Sequence, residues 1–151
     1  MFYDLTSFLL YAIAFSACFQ PTAQRLYGAL VFVSFTLLHE QLLSDLSGWA
    51  YYGSAALFDL VIITILSGIR PAVKMVYQLE LISLLSILLN FIGWTTWYLY
   101  LPPIAYDVGF VLLYSWALYA LIKRDTDVGD YTLTSWRSCF SSLSRKSFLL
   151  H

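Results

Sequence analysis

The stretch from residue 75 to residue 101 reads MVYQLELISLLSILLNFIGWTTWYLYL, and Glu80 is its one charged side chain. A helix that crosses the hydrocarbon core of a bilayer needs about 20 consecutive, predominantly apolar residues, so this run is long enough. Pro102 and Pro103 follow it directly, and proline interrupts a helix because it lacks a backbone N–H donor. The run therefore predicts a membrane-spanning helix with a defined end.

Apolar runs of the same kind lie on both sides of this stretch, and all 4 prolines of the chain fall in the breaks between runs. Continuous runs favour helices, because strands of a membrane barrel would show segments of about ten residues with alternating polarity. We therefore predict an all-α fold, a transmembrane domain of five helices over residues 1–122 followed by a tail over 123–151. The predicted spans cover residues 2–19, 26–43, 49–69, 75–101 and 104–122.

The composition excludes the main alternatives to a membrane protein. Hydrophobic residues make up 60% of the 151-residue chain and charged residues 11%, whereas soluble globular chains carry about 25% charged residues. The same apolar content excludes a disordered chain. A net charge of −1 argues against a nucleic-acid binder. The expected surroundings are a lipid bilayer.

The basic residues predict the orientation of the chain. All 8 lysines and arginines lie in the breaks at 20–25 and 70–74 or in the tail. Five alternating spans place these three regions on one side of the membrane, which the positive-inside rule identifies as the cytoplasm. We expect an outside N-terminus and a cytoplasmic C-terminus, in a bacterial inner membrane or an equivalent energy-coupling membrane.

Asp59 lies near the centre of the third predicted span. An acidic side chain at that depth costs about 3 kcal/mol on insertion scales, so it is retained for a reason. One interpretation is a proton or cation site, or the counter-charge of a ligand. The other is a protonated packing residue that hydrogen-bonds a neighbouring helix or a second subunit.

A polar stripe runs along the fourth predicted span. At 100° per residue, Ser83, Ser86 and Asn90 share one face of the helix, and Glu80 lies beside it. Such a stripe either lines a water path or holds helices together. We take Asp59 and these four residues as the candidate intramembrane site. The predicted spans contain no lysine or arginine, so we expect both acids to be neutral or to pair with a cation or a partner subunit.

Other polar residues carry less information. His39 and Glu40 are expected to form a wetted pair at the end of the second span, because adjacent helical residues point about 100° apart and suit a shared metal poorly. Asp107 is expected in the first turn of the fifth span, where the helix dipole favours an acid. We find no catalytic motif and expect no catalytic residues, no metal and no cofactor.

The tail has several interpretations. Trp136 and Phe140 are one helical turn apart, and Arg137, Arg145 and Lys146 lie off their face. This pattern predicts a short basic amphipathic helix on anionic cytoplasmic lipid. Its many serines weaken the helix prediction, since serine favours caps and turns. A disordered tail and a partner-docking tail are the alternatives.

The sequence leaves three hypotheses for function. The first is a non-enzymatic accessory or assembly subunit of a larger membrane complex, or of a homo-oligomer. The second is a small proton- or cation-coupled transporter or channel that uses Asp59 and the stripe from Glu80 to Asn90. The third is a viral membrane-permeabilising or host-modulating protein.

Overall fold

The computed structural model describes residues 2–43, 45–69 and 73–123, with side chains described from residue 5 onward. All regular structure in these ranges is α-helical, without a strand, which confirms the all-α prediction. The tail prediction, with its contacts Trp136, Arg137, Phe140, Arg145 and Lys146, lies outside the described residues. The helices are α1 Phe2–Ala17, α2 Ala23–Leu42, α3 Trp49–Leu66, α4 Lys74–Tyr98 and α5 Ile104–Ile122.

Local chemistry explains where the helices begin and end. Thr22 caps α2, because its hydroxyl accepts a hydrogen bond from the Arg25 backbone N–H at 3.4 Å and so satisfies a free donor of the first turn. The helix α4 ends before the predicted residue 101. Tyr100 has a positive φ of 55°, and the Leu101 N–H turns back to the Thr96 carbonyl at 2.8 Å. This is a Schellman arrangement, which terminates the helix before the prolines act.

The helices form a closed bundle. Each helix contacts the next along the chain, α1 packs on α5, and α2 also contacts α4. We call the end formed by the starts of α1, α3 and α5 and the ends of α2 and α4 the Asp59 half, and the opposite end the Arg25 half. The most deeply buried large side chains include Ile13, Ile62, Leu66, Met75, Val76, Leu79 and Ile82.

Three helices, α3, α4 and α5, are long and apolar enough to cross a membrane, within the described residues. The helix α1 has 16 residues, about 24 Å at 1.5 Å per residue, and is short for a hydrocarbon core of about 30 Å. The helix α2 has 20 residues but carries polar side chains at both ends. The structure thus supports a helical membrane protein with three such helices.

The outside of the bundle is apolar as well. Large side chains face outward on every helix, a pattern typical of helices that contact lipid or a membrane partner. Exposed examples are Phe8 and Phe15 on α1, Leu30 on α2, Leu57 on α3, Phe91 on α4 and Leu112 on α5.

Candidate functional site

A cavity of about 230 Å³ lies among all five helices in the Asp59 half. At about 30 Å³ per molecule, this volume corresponds to roughly eight waters. Asp59, Ile62 and Ser86 line its deepest part. Glu40 and Asp107 line it nearer the end of the bundle and are only half-buried, so the cavity communicates with that end.

The Asp59 carboxyl points into the protein and not toward the lipid-facing surface, since the residue is only 8% exposed. Its Oδ2 accepts a hydrogen bond from Asn90 Nδ2 at 3.4 Å, and Ser86, one turn from Asn90 on α4, also lines the cavity. The same Asn90 amide donates to Ser86 Oγ at 3.4 Å. These bonds are at the long end of the range, but together they join α3 to α4. Asp59 therefore has polar partners within its own chain.

Two tyrosines extend this group toward the end of the bundle. The Tyr106 hydroxyl donates to Asn90 Oδ1 at 3.5 Å, and Tyr51 and Glu40 line the same cavity. Polar side chains from four helices thus line the cavity from Glu40 to Asp59. From the sequence, neither Tyr51 nor Tyr106 was assigned to the site. No spacing signal could have found the contact between Tyr106 and Asn90, because it joins residues of α5 and α4.

His39 is buried, at 6% exposure, and the prediction of a wetted pair is wrong for this residue. Its Nε2 lies 3.2 Å from Ser54 Oγ and 3.4 Å from the Tyr51 carbonyl oxygen. The last turn of α2 packs on the first turns of α3, which covers the imidazole. The neighbouring Glu40 is half-buried and lines the cavity.

Gly93 allows two tyrosines to approach α4. The rings of Tyr52 and Tyr106 meet edge to face, with centroids 5.4 Å apart. A Cβ on Gly93 would lie 2.5 Å from Tyr52 Cε1 and 2.5 Å from Tyr106 Cδ2. Glycine is therefore needed here for the tyrosines to reach their observed positions beside Asn90.

The predicted site divides in the structure. Asp59, Ser86 and Asn90 come together at the cavity. Ser83 is fully buried deeper in the bundle, and its Oγ has no hydrogen-bond partner among the described residues. Glu80 is half-buried further toward the Arg25 half, away from the cavity lining.

The Arg25 half is closed by an arginine that the sequence placed only as a loop charge. Arg25 is 4% exposed, and its Nη2 donates to the carbonyls of Ala120, Leu121 and Lys123 at 3.3, 3.1 and 2.9 Å. Its Nε donates to Gln20 Oε1 at 3.0 Å. Carbonyls at a helix C-terminus lack partners within the helix and carry negative partial charge, so Arg25 fastens the start of α2 to the end of α5.

Apolar packing separates the cavity from Arg25. Between Ile62 and Arg25 lies a layer of apolar side chains that are at most 1% exposed: Ile13, Leu66, Leu79 and Ile82. This dense packing closes the cavity on the side of Arg25, so its open end lies in the Asp59 half. The arrangement is a one-sided polar pocket that ends on an apolar plug.

The cavity is acidic in character. Glu40, Asp59 and Asp107 line it, and there is no lysine or arginine among its described lining residues. The acids are dispersed: the described part of the chain contains no group of three or more histidine, cysteine or carboxylate side chains that could hold a metal. Such a pocket attracts positive charge without offering a dense set of ligands.

Comparison of the chain with protein-family models, with curated proteins and with solved structures gives no match.

Proposed function

We propose that the protein is a non-enzymatic integral membrane protein that takes a proton or a small cation into the cavity at Asp59, as part of a transport or channel function. The observation that carries the proposal is a buried carboxyl at the deep end of an acid-lined cavity. Burying a carboxylate away from water costs several kcal/mol unless a positive charge accompanies it. The site therefore favours either a protonated carboxyl or a bound cation, and exchange between the two is the basis of coupled transport.

We include five membrane spans in this proposal, with the N-terminus outside. The packing of α1 on α5 and of α2 on α3 and α4 supports it, because helices packed side by side occupy the same depth of membrane. The apolar outward faces of α1 and α2 agree. In this orientation the cavity faces outward and Arg25 lies toward the cytoplasm. An inner membrane or an equivalent energy-coupling membrane supplies the ion gradient that such a site uses.

The test is flux in proteoliposomes that contain the full chain. Asp59→Asn keeps the size and hydrogen-bonding capacity of the side chain and removes the titratable charge. We expect it to abolish proton or sodium flux while the helical circular dichroism spectrum is retained. The matched control is Asp45→Asn, which removes the same group from an exposed turn and should leave flux unchanged. Wild-type flux in Asp59→Asn would refute the proposal.

An accessory or assembly subunit, in a larger complex or a homo-oligomer, is the second candidate. The closed Arg25 half favours it, since the apolar plug below Ile62 gives no path for ions in this conformation. The exposed aromatic side chains Phe8 and Phe15 of α1, and Phe19 in the turn that follows it, would then contact a partner. In this case Asp59→Asn preserves function and assembly, and mass measurement in detergent finds the chain with partner subunits or further copies.

A further inference from the structure

Aromatic side chains form two walls of the cavity. The first wall lies on α2 and α3, where the rings of Phe35 and Phe58 are 5.8 Å apart and those of His39 and Phe58 are also 5.8 Å apart. All three of these residues line the cavity. The wall is continued by Tyr51, whose ring centroid lies 5.0 Å from that of His39.

The second wall lies on α5. Tyr106, Phe110 and Tyr114 are spaced one helical turn apart and all line the cavity. Their ring centroids are separated by 4.7 Å from Tyr106 to Phe110 and by 5.6 Å from Phe110 to Tyr114. The carboxyl of Asp59 lines the same cavity, so a buried acid and two aromatic surfaces border one space.

A carboxyl beside two aromatic walls suits an organic ammonium ion better than a metal ion. Many metal sites in proteins are built from several converging histidine, cysteine or carboxylate side chains, and the described residues contain no group of three or more of these. Aromatic faces attract an organic ammonium ion through cation–π interactions, which strengthen when the site excludes water. A cavity of about 230 Å³ is below the range of about 300–1,000 Å³ typical of drug-sized ligands. The expected ligand is therefore small.

We propose that the cavity binds a small organic ammonium ion, with the ammonium head between the aromatic walls and the Asp59 carboxylate as its counter-charge. This inference deepens the proposed function by naming the class of cation, and it rests on that proposal only in requiring that the cavity accept positive charge. Binding of the ammonium displaces the proton of the carboxyl, so uptake of one and release of the other balance in charge.

The experiment compares two probes of the same shape by isothermal titration calorimetry, on the full chain in lipid nanodiscs. The first probe is choline. The second is its neutral carbon isostere, in which a tert-butyl group replaces the trimethylammonium head. We expect choline to bind at least about tenfold more tightly than the isostere, the scale of a desolvated cation–π contact. Equal affinities for the two probes would overturn the proposal.

A pair of variants locates the binding site. Phe110→Leu removes a cavity ring while keeping an apolar side chain, and it should lower choline affinity about tenfold. Phe91→Leu is the matched control, because Phe91 is 65% exposed on the outside of α4; its choline affinity should equal that of the wild type. If the control loses as much affinity as Phe110→Leu, the assigned site is wrong. Should Phe110→Leu fail to fold, the two probes on the wild-type chain decide the question.

The same measurements separate this inference from the proposed transport function. Flux of protons or sodium that depends on Asp59, in a chain that does not bind choline, would reject the ammonium site and keep the proposed function. Choline binding that is weakened in both Phe110→Leu and Asp59→Asn, in a chain without flux, would keep the ammonium site and reject transport. Absence of both choline binding and flux would reject both.

Discussion

The Asp59 half and the Arg25 half of the bundle contain the same five helices but accommodate buried polar groups in different ways. In the Asp59 half, side chains of α3, α4 and α5 share long hydrogen bonds around a cavity, from Tyr106 through Asn90 to Asp59. In the Arg25 half, one guanidinium satisfies three carbonyls at the end of α5. The first arrangement leaves room for a ligand, whereas the second leaves none.

Because of this difference, we expect one half of the bundle to stabilise the fold and the other to bind the ion. Charged hydrogen bonds are worth about 1.5–3 kcal/mol each, against about 1 kcal/mol for a neutral bond. The Arg25 half should therefore contribute most to stability, and the Asp59 half should tolerate rearrangement around a bound ion.

The largest expected effect is at Arg25. Arg25→Ala removes three hydrogen bonds that a charged donor makes to carbonyls at the end of α5, which should lower the free energy of unfolding by about 3 kcal/mol. Denaturant or thermal unfolding in detergent micelles measures the loss. Arg25→Lys keeps the charge but loses the planar fork, so it should recover only part of the stability. Full recovery by lysine would mean that charge alone, without geometry, holds this half together.

Gly93 is the next test, now of the Asp59 half. In Gly93→Ala the new Cβ must displace the Tyr52 and Tyr106 rings, and overpacking of this kind costs about 2 kcal/mol. Gly53→Ala is the matched control, because a Cβ there meets Trp49 at an ordinary 3.6 Å. The control should be neutral or stabilising by about 0.5 kcal/mol, since alanine favours helix over glycine. Equal effects in the two variants would contradict the close packing at Gly93.

Asn90 provides a smaller effect. Asn90→Leu removes the amide that links Asp59 and Tyr106 and should weaken the contact between α3 and α4 by about 1 kcal/mol, the scale of hydrogen bonds between membrane helices. Thr95→Val serves as its control, since the Thr95 hydroxyl bonds to the Phe91 carbonyl of its own helix. If both variants lose the same stability, the amide does not join the two helices.

Much of the fold could be predicted because local signals control it. The start of α5 after Pro103 agrees with the predicted span at 104–122, and Asp107 lies in its first turn. The burial of Ser83, Ser86 and Asn90 follows from their common face at 100° per residue. The prolines predicted an end of α4 close to residue 101, but the end at Tyr98 was missed, because the residue with positive φ in the Schellman turn is Tyr100 and not a glycine.

The rest depends on contacts between distant parts of the chain. Arg25 reaches the end of α5, and Tyr106 reaches Asn90 of α4, and neither pairing leaves a periodic trace in the sequence. For the same reason the sequence could not separate Glu80 from the residues that line the cavity. A helical stripe in the sequence shows which residues share a face of the helix, but it does not show where a cavity along that face ends.

The deep end of the cavity lies between Ser86 and Ser83, and substitutions of these two serines should change stability the least. They lie one turn apart on α4. The Ser86 hydroxyl accepts a hydrogen bond from Asn90, whereas Ser83 Oγ has no hydrogen-bond partner among the described residues and is fully buried.

A buried hydroxyl without a partner costs free energy, so its removal is neutral or favourable, whereas removal of a bonded hydroxyl leaves its donor unsatisfied. We therefore expect Ser83→Ala to be neutral or to stabilise by about 0.5 kcal/mol, and Ser86→Ala to destabilise by about 1 kcal/mol. Thermal unfolding of both variants in the same detergent gives the comparison. If Ser83→Ala is instead the more destabilising, the polar region extends past Ser86, and the boundary between the halves lies deeper than the cavity indicates.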